Sequence, residues 1–135
     1  WKDLEQGRRA CDVLVDDIAT RTTTSMQEKK AKLHEKLTTL LGDNADPQRL
    51  AAEAAVVADR LDVAEEMARL RLHLEALDVL LQKPGSGRKL DFLCQELLRE
   101  ANTTASKCQD AVVAQRVVDL KSEIERLREQ AQNVE

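Results

Sequence analysis

Apolar residues recur along most of this chain at alternating intervals of three and four, which is the spacing of amphipathic helices. One regular run near the C-terminus comprises Val113, Val117, Leu120, Ile124, Leu127, Ala131 and Val134. A second run, in the middle of the chain, comprises Val63, Met67, Leu70, Leu74, Leu77 and Leu81. This heptad-like spacing predicts long helices that pack through coiled-coil-like seams, either against one another or against a partner subunit.

Glycine, proline and aspartate residues predict where these helices begin and end. Gly42 is expected to terminate a helix, Asp46 to cap the next one, and Pro47 to occupy its first position. Asp62 opens a sequence that resembles a capping box, which predicts a new helix or a kink there. Residues 84–88 are rich in Gly and Ser and predict a short loop between antiparallel helices.

The predicted architecture is all-α, an antiparallel helical bundle in one domain over residues 1–135. It begins with a helical arm over 1–41, in which we expect a break near 22–25 because Thr and Ser side chains compete for backbone hydrogen bonds. Central helices are predicted over 47–83, and one long helix over 89–134.

Composition agrees with helices and narrows the possible partners. Only 1% of the 135 residues are aromatic, whereas 42% are hydrophobic, which excludes a sheet protein built on aromatic and β-branched strands. The net charge of −4 excludes a general attraction to nucleic acid, so any phosphate-binding surface must be a local patch. No apolar run is long enough to span a bilayer, and no membrane partner is expected.

The cysteine pattern predicts free thiols. Cys11, Cys94 and Cys108 are odd in number and lack the spacing of metal ligands. Cys94 and Cys108 share a helix face but are separated by roughly 21 Å at about 1.5 Å per residue, too far to form a disulfide. We expect small buried thiols in a reducing compartment.

Residues 88–107 form the most informative predicted helix. Its apolar arc comprises Leu90, Leu93, Cys94, Leu97, Ala101, Ala105 and Cys108. The opposite side carries two polar stripes, one of Arg88, Asp91, Gln95, Arg99, Asn102 and Ser106, the other of Glu96, Glu100, Thr103 and Lys107. A merely solvated face usually carries simple Lys–Glu pairs, whereas this mixture is typical of surfaces that bind ligands, phosphates or metals. The alternative is a polar bundle helix with internal ion pairs.

A predicted hairpin between the last central helix and the long C-terminal helix would bring charged side chains together. Carboxylates of Glu66, Glu96 and Glu100 with the imidazole of His73 predict a site for Mn²⁺ or Mg²⁺. Alternatively, His73 could act as a general acid or base. Phe92 projects near the polar face, where it could stack on a base or fill a subunit contact. Ordinary surface ion pairs remain the competing interpretation.

Three segments of the chain resemble the C-terminal half of the YicC/YloC family of bacterial proteins. They are DVAEEMARLRLHL (Asp62–Leu74), GRKLDFLCQELLREANTTASK (Gly87–Lys107) and IERLREQAQNVE (Ile124–Glu135). The resemblance implies a cytoplasmic, metal-dependent endoribonuclease that assembles as a hexamer. It also implies an N-terminal domain with β structure, absent from this chain, which starts at Trp1 and is expected to be a fragment or a processed product with the family's natural C-terminus.

Within the matched motifs we assign roles by residue type. Metal binding or proton transfer, and hence catalysis, is assigned to Glu66, His73, Glu96 and Glu100. RNA binding is assigned to Arg69, Arg88, Gln95, Arg99, Asn102 and Lys107. The expected cofactor is Mn²⁺ or Mg²⁺, and the expected partners are RNA, further copies of the protein and the missing N-terminal domain. The alternatives are a structural oligomerisation module and an RNA-binding adaptor without catalysis.

Overall fold

The computed structural model describes residues 2–42, 46–83, 85 and 87–134, and these residues confirm the all-α prediction. Five helices occur in these ranges: α1 (Lys2–Leu41), α2 (Pro47–Leu61), α3 (Ala64–Leu81), α4 (Gly87–Cys108) and α5 (Ala111–Val134). No strand occurs within the same ranges. None of the described helices combines the length and the apolar character needed to cross a membrane.

Four of the helices share one apolar core. The apolar seams of α1, α3, α4 and α5 bury a continuous cluster whose fully enclosed side chains include Ile18, Leu70, Leu74, Leu97 and Ile124. Helix α1 packs against α5, where Gly7 permits close approach because an added Cβ would meet Leu127 Cδ2 at 2.9 Å. Helices α3 and α4 form the predicted antiparallel hairpin, and α2 packs mainly on α1.

The predicted break near residues 22–25 is wrong, because α1 runs through this segment. Threonine hydroxyl groups donate to carbonyl oxygens of the preceding turn, as in Thr24 to Thr20 at 3.2 Å and Thr23 to Ala19 at 3.0 Å. Thr22 and Ser25 are buried against the rest of the bundle. Tertiary packing therefore outweighs the low helix propensity of these residues.

The single helix predicted over 89–134 is also wrong, because the chain turns between α4 and α5. Gln109 adopts a φ of 47°, the left-handed region that ends a helix. Asp110 then caps α5, its Oδ1 accepting a hydrogen bond from the Val113 amide at 3.0 Å. Arg21 binds the same carboxylate, and Lys29 donates to the Gln109 carbonyl oxygen at 3.0 Å. This turn folds α5 back along α4.

Other boundary predictions are confirmed. Gly42 has a φ of 57° at the end of α1, and Asp46 caps α2 by accepting from the Gln48 amide at 3.0 Å. Asp62 accepts from the Ala64 amide at 2.9 Å where α3 begins. Of the loop predicted over 84–88, positions 84 and 86 lie outside the described residues, and α4 already begins at Gly87.

The cysteines are free and buried, as predicted. Burial raises the pKa of the Cys11 thiol to about 12 and that of Cys94 to about 11. Both groups are therefore protonated, and poor nucleophiles, near neutral pH.

Candidate functional site

The α3–α4 hairpin brings one imidazole and two carboxylates together. Glu96 and Glu100 lie one turn apart on α4, and His73 faces them from α3. One potential ligand atom from each of the three lies within 4.8 Å of the others. Glu100 is buried, whereas His73 and Glu96 are half-buried, so the cluster is open to solvent on one side.

The donor set of this cluster fits a divalent cation. Carboxylate oxygens are the ligands that Mg²⁺ prefers, and a single imidazole is compatible with Mn²⁺. Two arginines reach the carboxylates only at the outer limit of ion pairing, Arg69 Nη1 at 3.7 Å from Glu100 and Arg99 Nη1 at 3.9 Å from Glu96. Neither distance is that of a close ion pair, so both carboxylates remain potential ligands for a cation.

Glu66 lies outside this cluster, although the sequence placed it among the ligands. It precedes His73 by two helical turns, and its side chain is only 5% exposed. Its Oε1 accepts a hydrogen bond from Lys107 Nζ at 2.6 Å. Its Oε2 is also buried and has no hydrogen-bond partner among the described residues. Glu66 is thus a buried carboxylate neutralised from α4.

Lys107 and Arg69, both assigned to RNA, are engaged within the protein. The hydrogen bond to Glu66 raises the pKa of Lys107. The Arg69 guanidinium is held by Glu65, one turn earlier on α3, and reaches towards Glu100. These two cations stabilise carboxylates on the facing helices, which the sequence alone did not indicate.

The remaining residues assigned to RNA lie on the solvent side of α4. All four are exposed: Arg88, Gln95, Arg99 and Asn102. Arg99 is the most informative of them, because its side chain is 74% exposed and lies next to Glu96. Asp91, on the same predicted stripe, instead accepts hydrogen bonds from Arg128 at 2.8 Å and Gln132 at 3.0 Å, and so joins α4 to α5.

Two residues that help to form the candidate site and its surroundings were not predicted from the sequence. Glu65 orients Arg69, and the signal for it was its position four residues before that arginine. Lys89 lines a groove with Phe92 near the start of α4, and the signal was its spacing of three from the one phenylalanine of the chain. Both lie inside the motif segments already quoted.

Comparison with known proteins relates the sequence of this chain to one family. Residues 18–135 match the family model described as "Endoribonuclease YicC-like, C-terminal". The chain is 39% identical over 131 residues to "Probable endoribonuclease YicC" of Clostridioides difficile (strain 630), covering 93% of this chain and 45% of that protein. It is 41% identical over 140 residues to a protein of the same name from Haemophilus influenzae, covering 96% and 49%. The chain therefore spans about half the length of these curated relatives.

Proposed function

This chain belongs to the YicC-like endoribonuclease family, as its C-terminal domain, and from that premise we propose that it provides a cation-binding part of a site that cuts RNA internally. The relatives are named as probable endoribonucleases, so RNA is the proposed substrate. The observation that carries the proposal is the convergence of His73, Glu96 and Glu100 within 4.8 Å.

In this proposal, the three side chains hold Mn²⁺ or Mg²⁺; in the alternative, the two carboxylates hold the cation and His73 stays unligated. A bound divalent cation would supply positive charge beside the scissile phosphate and make a bound water more acidic. The protein's own part is to hold the carboxylates in place. Arg69 supports Glu100 from α3, and burial of Glu100 restricts its movement. An unligated, half-buried His73 could carry a proton to or from the RNA.

The exposed side of α4 is the proposed RNA contact. Arg88 and Arg99 can pair with phosphates, and the amides of Gln95 and Asn102 can hydrogen-bond to sugar or base edges. All four extend to solvent from the helix that carries Glu96 and Glu100. Because Arg88 and Arg99 would displace counterions from the phosphates, we expect RNA binding through this patch to weaken with added salt.

The test is cleavage of a labelled structured RNA by the full-length gene product, with Mn²⁺ and with excess EDTA. His73→Ala and Glu100→Gln should each lower the cleavage rate by about a hundredfold or more, the usual range for losing a proton-transfer or charge-stabilising group. EDTA should have the same effect. The matched control is Glu75→Gln, which removes an exposed α3 carboxylate two residues after His73 and should leave the rate unchanged.

Circular dichroism of each variant shows whether the helices are retained. Cleavage that persists in both folded site variants would refute the assignment of these residues. RNA binding without any cleavage by the parent protein would favour an adaptor instead.

A structural role in assembly is the second candidate. It is supported by large apolar side chains that α3 and α4 leave exposed, Leu72, Val79 and Phe92. Hexameric assembly and a cytoplasmic location are further proposals that rest on the family resemblance. The native mass of the full-length gene product, measured by light scattering, tests the hexamer directly. A monomeric mass would remove the assembly candidate.

A further inference from the structure

A groove lies between the C-terminal end of α3 and the N-terminal end of α4. Its volume is about 580 Å³, within the range of small-ligand sites. Ala76 and Val79 of α3 form one apolar wall, and Phe92 of α4 forms the other. Arg88 and Lys89 are consecutive cations on the α4 side. The groove therefore combines an apolar, aromatic surface with two positive charges.

Phe92 is unusual for this molecule. It is the one phenylalanine in the chain, yet 61% of its surface is exposed, while the leucines of α4 occupy the core. Burying an aromatic ring would ordinarily stabilise a fold. An exposed ring beside two cations instead offers a surface on which a planar, negatively charged ligand can stack.

The groove adjoins the carboxylate–histidine cluster. Phe92 precedes Glu96 by one turn of α4, about 6 Å along the helix axis, and Ala76 follows His73 by three residues, about 4.5 Å along α3. A stacked nucleic-acid strand advances by roughly 3.4 Å per nucleotide. A strand whose phosphate lies at the cluster therefore has a base within reach of Phe92, one or two nucleotides away.

We propose that this groove binds an unpaired base of the RNA, stacked on Phe92, with Arg88 and Lys89 contacting the flanking phosphates. The inference rests on the proposed function, because it names a subsite for the same substrate. Charge favours this occupant, since two adjacent cations on a chain of net charge −4 form a local anion-binding patch. A base held in a duplex cannot place its face on the ring, so the subsite selects single-stranded segments.

The experiment measures binding of a short fluorescein-labelled single-stranded RNA to the full-length gene product by anisotropy, in EDTA so that cleavage does not interfere. Phe92→Ala should weaken binding by about tenfold or more, the loss expected for one stacked base. Phe92→Tyr should bind like the parent. The matched control is Val13→Ala on α1, whose residue is 60% exposed compared with 61% for Phe92, and which should leave binding unchanged.

A second set of binding measurements varies the charge of the groove and the strandedness of the RNA. The double variant Arg88→Ala/Lys89→Ala should also weaken binding, with a shallower dependence on salt concentration. A blunt duplex of the same sequence should be affected much less by Phe92→Ala than the single strand is.

Two results would overturn the inference. One is unchanged single-strand binding by Phe92→Ala. The other is dissociation of the native assembly by Phe92→Ala, which would show that the groove joins protein copies. A separate measurement tests the metal proposal. The His73→Ala variant should lose cleavage in Mn²⁺ while it still binds the single strand in EDTA. If the parent protein fails to bind the strand, the groove proposal falls, whereas cleavage of the structured RNA in Mn²⁺ still decides the metal proposal.

Discussion

The register of the α3–α4 hairpin determines the roles of Glu66 and Lys107. In an antiparallel hairpin, facing residues move away from the loop by equal steps on both helices. His73 therefore meets Glu96 and Glu100, whereas Glu66, two turns further from the loop, meets Lys107. Glu66 is buried, and an unpaired buried carboxylate would be strongly unfavourable. The pair therefore serves the α3–α4 contact.

A charge-removal pair tests this structural role. Lys107→Met should lower the thermal unfolding midpoint, because it leaves the Glu66 carboxylate buried without its cation. Adding Glu66→Gln to that variant should restore part of the loss, since the uncompensated charge is then removed. Differential scanning calorimetry of the full-length gene product provides the measurement.

Lys121→Met, which removes a half-buried lysine of α5, is the matched control and should have a smaller effect. RNA binding gives an independent readout. If Lys107→Met makes the salt dependence of binding markedly shallower while the midpoint stays constant, Lys107 contacts phosphate and the structural role is wrong.

At the scale of elements, periodicity predicted the helices better than their ends. The apolar seams of α3, α4 and α5 are regular, so their existence and the α3–α4 hairpin could be read from spacing. The buried seam steps by five residues from Cys108 to Val113, and this departure from the three-and-four spacing was the signal of the turn between α4 and α5. The continuity of α1 was hidden, because it depends on partners distant in sequence such as Asp110.

The sequence predicted the location of the candidate site better than the individual contacts within it. Antiparallel pairing predicted that the charged bands of the two helices meet, and the structure brings His73, Glu96 and Glu100 together. The separation of Glu66 and the inward roles of Arg69 and Lys107 required the register of the hairpin and the depth of burial. Helical spacing identifies a face but does not determine which side chains on it pair with each other.

The contribution of the turn between α4 and α5 to the stability of the fold depends on pH. Hydrogen bonds from Arg21, together with the Val113 amide, hold the pKa of Asp110 well below its ordinary value of 3.8. A lowered pKa in the folded state gives a stabilising contribution that is fully present above the unfolded value. That contribution is lost as pH falls through the folded value.

Asp110→Ala should therefore destabilise the protein by about 2 kcal/mol at neutral pH, about half from the lost helix cap and half from the lost charged hydrogen bonds. The difference from the parent should shrink as pH falls below about 4, which urea titrations over a pH series can measure. Asp62→Ala is the matched control, because within the described residues its side chain accepts one hydrogen bond, from the Ala64 amide, and it should cost about 1 kcal/mol. An equal loss in the two variants would show that Arg21 adds nothing.

At the scale of the whole molecule, the reactivity of the cysteines measures how cooperatively the bundle unfolds. Cys11 lies on α1, Cys94 in the middle of α4, and Cys108 at its end, yet all three belong to one buried cluster. A thiol inside a shared core reacts only when that core opens. Burial also raises the pKa of Cys11 to about 12 and of Cys94 to about 11, so little thiolate is present near neutral pH.

We therefore expect alkylation of the native full-length gene product by N-ethylmaleimide to be at least about a thousandfold slower at these positions than in denaturant, since reaction requires unfolding. If the four helices unfold as one unit, peptide mass spectrometry should find equal labelling rates at Cys11, Cys94 and Cys108. Subdenaturing urea should accelerate all three together. Faster labelling of Cys11 alone would mean that α1 detaches while α3, α4 and α5 remain packed, and the single-domain prediction would then be wrong. Equal rates would instead tie the α3–α4 site to the stability of the whole bundle, because the cluster of His73, Glu96 and Glu100 would persist only while α1 remains docked.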